Sequence, residues 1–130
     1  MIIPHRYKDL LSYEKKAFAN LALVLKDGDP HVTPLWFDFD GKYILINSAV
    51  GRVKDKVMRR TKSVALSISD PDNPYRYIQI RGKVVTITEK KAREFIDHLS
   101  MKYTGELYIG YAGETRVTYK ILPKLISYMG

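Results

Sequence analysis

The pair Asp40–Gly41 constrains this chain more than any other two residues. It stands between the β-rich runs His31–Phe39 and Lys42–Asn47. An Asp-Gly pair between two such runs signals a tight hairpin, because Gly supplies the positive φ that the turn requires. The same punctuation occurs earlier. Asp27–Gly28–Asp29–Pro30 follows the apolar run Leu21–Leu25, and Pro30 blocks further ladder pairing there. The three runs therefore predict a β-meander. Pro34 cannot donate to a ladder, so it marks an edge, a bulge or a local opening.

The flanking segments are read in the same way. Ser12 is the expected cap of a short helix, with Glu14 in its first turn and Tyr13, Ala17, Phe18 and Leu21 as its apolar stripe. The strand Lys42–Asn47 ends in small polar residues, Gly51 breaks the chain, and a helix is expected over Val53–Arg60. A strand Ser63–Ser69 follows, and Asp70–Pro74 reads as a loop that rejects both helix and strand. Tyr75–Thr88 is long and β-rich, with a bend or bulge at Gly82. Thr88 is the expected cap of an amphipathic helix, Glu89–Met101, whose buried face carries Ala92, Phe95, Ile96 and Leu99. Tyr103–Gly113 reads as loop. Thr115–Leu122 reads as the final strand, stopped by Pro123. About six strands with two or three peripheral helices, joined by connections that favour antiparallel pairing, predict a mainly β chain. The expected architecture is a small barrel in a single domain, residues 1–130.

Charge adds a functional constraint. The formal net charge is +8, which favours an acidic partner: nucleic acid, an anionic membrane, or a phosphorylated or carboxylated cofactor. Arg52, Lys54, Lys56, Arg59, Arg60 and Lys62 crowd one short segment against Asp55 alone. A strand end with free backbone donors, a Gly that permits close approach, and clustered cations suit a phosphate-bearing ligand. No Walker or Rossmann fingerprint stands there. The chain has no Cys, so disulfides and thiol chemistry are excluded. His5, His31 and His98 lack ligand spacing, so no metal is expected, and no nucleophile elbow is present. Without a signal-like h-region or an apolar run of about 20 residues, a cytoplasmic protein with no membrane association is expected.

The order of these motifs carries a resemblance. Pro30–His31–Val32–Thr33–Pro34–Leu35–Trp36–Phe37, the Asp40–Gly41 hairpin, Asn47–Ser48, Gly51–Arg52–Val53–Lys54, Arg59–Arg60, Tyr77 and Arg81–Gly82 succeed one another. Together they resemble the split-barrel flavin-binding proteins of the pyridoxamine 5'-phosphate oxidase-like superfamily, in the branch with deazaflavin (coenzyme F-420)-dependent reductases. The resemblance implies a six-stranded antiparallel split β-barrel. It also implies a homodimer with cofactor sites, for FMN or coenzyme F-420, at the subunit interface. Thr33, Pro34, Leu35 and Trp36 would lie along the tricyclic ring, Asn47 and Ser48 near the ring and ribityl chain, and Arg52 and Lys54 on the phosphate. Tyr77 and Gln79 would reach the partner's site.

Two positions depart from the family pattern: Val57 stands where Asn is common and Lys56 where Arg is common. The implied activity is hydride or electron transfer to a small organic acceptor, with no catalytic side chain assigned. Two alternatives remain: a flavin carrier without turnover, and a basic β-barrel binding nucleic acid through Tyr75–Arg76–Tyr77 and Arg81. Tyr103, Tyr108, Tyr111 and Tyr119 read as a dimer seam rather than a substrate pocket.

Overall fold

Alternation of buried and exposed side chains builds β1 (Ala19–Val24), whose Ala19, Leu21 and Leu23 face the core. The computed structural model describes residues 3–130. A 3₁₀ helix, His5–Leu11, precedes β1 and buries Tyr7, Leu10 and Leu11. The helix expected after Ser12 is absent. The Ser12 hydroxyl donates back to the Asp9 carbonyl at 2.9 Å, so it closes the preceding turn instead of capping a following one.

The remaining strands are β2 (Pro30–Leu35), β3 (Asp38–Phe39), β4 (Ile44–Ala49), β5 (Ser63–Asp70), β6 (Asn73–Thr88) and β7 (Arg116–Met129). They form one antiparallel sheet in the order β2-β1-β5-β6-β7-β4-β3, curled around a common core as a split barrel. The strand count is seven rather than six, because the run His31–Phe39 breaks at Trp36–Phe37 into β2 and β3. The meander is broken at the same point, since β2 and β3 occupy opposite edges of the strand order. The chain crosses between them with Phe37 fully buried. Pro34 therefore sits on an edge strand, where its missing N–H costs nothing.

Two further expectations are corrected. Asp70–Pro74 is not a loop but a tight turn: Asp70 Oδ1 accepts the Asp72 N–H at 2.8 Å, and Asn73 already pairs with Asp70. Pro123 does not stop β7. The register between β6 and β7 shifts at Arg81–Gly82, which sets Pro123 opposite Gly82, and a bulge is where a strand tolerates Pro. Gly82 is required at this point, because a Cβ there would lie 2.6 Å from the Leu122 carbonyl oxygen.

Helix α1 spans Val53–Arg60, the expected bounds, with Arg52 at its N-cap. Val57 and Met58 bury into the core, so the Val57 departure is a packing contact of the helix and not a cleft contact. Helix α2 spans Ala92–Thr104 and packs on β7 and β4. It starts later than Glu89 because Lys91 takes a left-handed conformation at the N-cap, while the Thr88 hydroxyl accepts the Lys90 N–H outside the helix. No helix among the described residues is long and apolar enough to cross a membrane.

Candidate functional site

The ends of β2 and β4, the start of α1 and the inner face of α2 meet around a cleft of about 240 Å³. Pro34, Leu35 and Trp36 line one side, Asn47, Ser48, Arg52 and Lys54 the next, and Ile96 and Leu99 of α2 face them. Four elements thus converge, and most of the expected site residues lie in them.

The turn that presents the cations is fixed by one carboxylate. Gly51 takes a φ of 91°, which a side chain would oppose. Asp55, 2% exposed, accepts the Gly51 N–H through Oδ2 at 2.9 Å. Its Oδ1 accepts the Tyr119 hydroxyl at 2.6 Å and Arg59 Nε at 2.8 Å. Burial opposes the Asp55 charge, but these three donors outweigh it and hold the carboxyl below its usual range. Tyr119 is wholly buried and its hydroxyl pKa is raised, first by burial and then by Asp55. It is a strut of the core and not part of a seam.

Beyond that turn, Arg52 and Lys54 differ. Arg52 pairs with Glu114, Nη2 to Oε2 at 3.1 Å. Lys54 is half-buried and, among the described residues, meets no carboxylate; its contact is the Thr33 hydroxyl at 3.5 Å. Burial, with help from the Arg52 charge, pushes the Lys54 pKa down. An ammonium held this way is poised for an anion.

Asn47 and Ser48 also divide their roles. The Asn47 side-chain amide is committed: it donates to the Ala92 carbonyl at 2.9 Å and the Thr118 hydroxyl at 3.2 Å, and it accepts Arg116 Nε at 2.8 Å. It therefore aims Arg116 rather than offering bonds to a ligand. Ser48 is 2% exposed, and its Oγ has no hydrogen-bond partner among the described residues. A buried hydroxyl left unpaired costs stability unless a ligand satisfies it.

The apolar wall is aromatic. Trp36 stacks on Tyr103 with ring centroids 5.5 Å apart and planes 5° apart, and Phe18 meets Tyr103 edge-on at 5.1 Å. Tyr103 donates its hydroxyl to the Ala17 carbonyl at 2.5 Å, and burial pushes its pKa up to about 12. Tyr108 lines the cleft as well, its hydroxyl 3.2 Å from Arg116 Nη1, whereas Tyr111 is exposed. Tyr77 and Gln79 stand apart: they lie along β6 opposite Ser69 and Ser67, and neither lines the cleft. Sequence reasoning missed Arg116 and Glu114, and it read Tyr108 as seam where the structure sets it in the cleft. The only signal was the charge pair Glu114–Thr115–Arg116 just before an apolar strand.

With this geometry in view, relatives become informative. A family model described as pyridoxamine 5'-phosphate oxidase matches residues 3–130. The chain belongs to that family. No curated protein sequence matches it. Among solved structures of similar shape, one described as an F-420 reductase shares 34% identity and superposes with a TM-score of 0.86, covering 96% of this chain and 98% of its own. An FAD-binding protein from Mesorhizobium loti shares the fold at 19% identity and a TM-score of 0.71, with coverage of 98% and 94%.

The residues present fit the ring-and-phosphate cofactors that this family implies. A flat aromatic wall stands beside an orphaned Ser48 hydroxyl, and two cations lie at a Gly turn. A larger cleft of about 560 Å³ shares none of these residues, and the polar side chains that line it among the described residues are Lys8, Ser12 and Lys42.

Proposed function

We propose that this family member is an oxidoreductase that holds a flavin-type cofactor, coenzyme F-420 or FMN, in the Trp36–Ser48–Lys54 cleft and reduces a small organic acceptor. The observation that carries the proposal is the pairing of two groups left uncompensated among the described residues in one cleft: the Ser48 hydroxyl without a partner and the Lys54 ammonium without a carboxylate. The F-420 reductase at 34% identity favours the deazaflavin of the two cofactors.

When bound, the tricyclic ring supplies the hydride or electrons, so the chain needs no acid–base pair of its own. Arg52 and Lys54 bind the phosphate, while Ser48 hydrogen-bonds the ligand beside the ring. Trp36, backed by Tyr103, and Pro34 and Leu35 cover one ring face and exclude water. Arg116, aimed by Asn47 and Tyr108, adds a buried positive charge at the back of the cleft.

The cleft is smaller than the roughly 300–1,000 Å³ that encloses a ligand of this size. A second wall from another copy of the chain is therefore part of the proposal: the working unit is a homodimer, with Tyr77 and Gln79 contributing across the interface.

Fluorescence titration of the purified protein with FMN and with F-420 tests the proposal, and the Arg52→Ala/Lys54→Ala variant is the control. Saturable binding of one cofactor, lost in the variant, supports it. Binding without reduction of any acceptor in a substrate screen reduces the assignment to a carrier. Binding of neither cofactor overturns it. Light scattering in the same buffer reads the oligomeric state, and a monomer with bound cofactor refutes the shared site.

A further inference from the structure

Resting on the cofactor proposal, we infer that Glu114 is a built-in counter-anion, which the ligand's phosphate displaces from Arg52, and that this exchange unlatches the stretch 109–113 at the cleft mouth.

No carboxylate lines the cleft among the described residues. Asp55 beneath the turn is already taken by Gly51, Tyr119 and Arg59, whereas the carboxylate that meets Arg52 is Glu114, and it is shared. Its Oε2 meets Arg52 Nη2 at 3.1 Å, and its Oε1 meets Arg116 Nη1 at 3.2 Å. The two halves of this bridge differ in depth. The Arg116 side chain is 6% exposed and that of Glu114 is 12% exposed, whereas Arg52 is 43% exposed. The inner pair is shielded from water. The outer pair is half in solvent, where an ion pair contributes little and yields to a stronger anion.

Formal charges give the exchange its direction. Arg52, Lys54 and Arg116 set against Glu114 leave a net charge of two positive units. A phosphomonoester, as in FMN or the inorganic phosphate that mimics it, carries about 1.5 to 2 negative charges at neutral pH. Neutralising it requires Arg52 as well as Lys54, so Arg52 must turn from Glu114 to the ligand while Glu114 stays with Arg116. Glu114 thereby lowers affinity for every anion and keeps Arg52 from standing unpaired in the empty site.

The same contact fastens the loop. Arg52 also lies over the Tyr111 ring, 6.0 Å from its centroid, and the Glu114 N–H donates to the Tyr111 carbonyl at 3.3 Å. The near end of the segment is tied elsewhere: the Tyr108 N–H donates to Asp97 Oδ1 at 3.0 Å, and Arg93 bonds the Tyr108 carbonyl. At the far end, the Thr115 carbonyl accepts the Val50 N–H at 2.9 Å. Between these ties, Arg116 holds Glu114 from the inner side, while Arg52 holds the outer side of Glu114 and covers the Tyr111 ring. Ile109 is 93% exposed and Tyr111 76%, so packing does not replace that hold. Losing Arg52 to an anion frees residues 109–113 around Tyr111, while Tyr108 stays tied to Asp97 and Glu114 to Arg116.

The test uses inorganic phosphate at low ionic strength, with calorimetric titration and amide hydrogen exchange on the wild type, Glu114→Gln and Arg52→Ala. Glu114→Gln is expected to bind phosphate about three- to fivefold more tightly, the scale of a half-exposed ion pair. In the wild type, amides of residues 111–114 are expected to exchange faster when phosphate is saturating. In Glu114→Gln they exchange fast with or without it. Arg52→Ala frees the same amides but weakens phosphate binding, which separates unlatching from charge and serves if Glu114→Gln folds poorly.

Unchanged or weaker phosphate binding in Glu114→Gln overturns the inference, as do wild-type amides that ignore phosphate. If the wild type binds its cofactor and phosphate but shows neither effect, only the role of Glu114 falls. If it binds neither, the cofactor proposal falls with it.

Discussion

Asp55→Asn is the most informative substitution, because one buried carboxylate joins the cation turn to the core. Asp55 Oδ1 accepts both Tyr119 and Arg59, and Oδ2 accepts the Gly51 N–H. An amide of the same shape has one acceptor oxygen and one donor nitrogen. With its oxygen on the Tyr119 side, its NH₂ points at the Gly51 N–H and the turn loses its bond. The reverse orientation sets NH₂ against two donors and is worse.

One buried donor left unpaired costs about 1–3 kcal/mol, and the weakening of two charge-assisted bonds adds about 1 kcal/mol. The expected loss is therefore about 2–4 kcal/mol at pH 7. For a chain of this size that lowers Tm by about 10 °C. The pH dependence supplies a second check. The folded-state pKa of Asp55 is lowered, so its contribution is present above the unfolded carboxylate value and is lost as pH falls through the folded value. The stability gap between wild type and variant is expected to be full at pH 7 and to shrink below about pH 4. Urea unfolding at pH 7, 5 and 3.5 measures it. A loss under about 1 kcal/mol at pH 7, or a gap that widens in acid, refutes the role assigned to Asp55.

Three other outcomes are expected. Ser48→Ala leaves stability unchanged or raises it by up to about 1 kcal/mol, because the hydroxyl has no partner to lose, yet it weakens cofactor binding about three- to tenfold. Paired melting and binding curves check this, and a destabilised variant with intact affinity contradicts it. Gly82→Ala forces a Cβ against the Leu122 backbone and lowers stability by about 1–3 kcal/mol in urea titration; a change under about 0.5 kcal/mol contradicts the bulge geometry. Finally, Arg76 hydrogen-bonds and lowers the Asp9 carboxyl. The Asp70 carboxyl is lowered first by the Asp72 N–H and then by Arg76. Stability that depends on these ionised carboxylates is present above their unfolded values and is lost as pH falls through the folded ones, so Arg76→Gln is expected to flatten the acid limb of the melting profile.

Signals local to the sequence were legible. Val53–Arg60 could be bounded because Gly51 breaks the chain before it and Val57–Met58 give it a buried face. Pro34–Trp36, Asn47–Ser48 and the Arg52–Lys54 pair converge because each sits at or near a strand end that the turn chemistry already located. What escaped depended on register. Pro123 inside β7 is harmless only because Gly82 faces it, a pairing between residues about forty positions apart that no window reveals. Asp70–Pro74 carries loop composition, yet the Asp70 side chain turns it into a tight corner. Arg116 joins the cleft, and Glu114 comes to stand beside it, because β7 runs beside β4, so their role follows from sheet order and not from spacing.

That sheet order also bears on how the chain reaches its native state. β7, the element nearest the C-terminal end of this sequence, is an interior strand, with β6 on one side and β4 on the other. A ribosome delivers residues at about 5–20 per second, in chain order. Strands β1, β2, β5 and β6 can pair as they emerge, but the β3–β4 hairpin has no neighbour until β7 leaves the exit tunnel. Until then the nascent chain carries two bare edges, those of β6 and β4, facing a gap of one strand. Closure of the barrel therefore waits on the last of its strands to be made. A chain that lacks β7 has two half-sheets with open seams, the kind of species that chaperones hold and proteases clear.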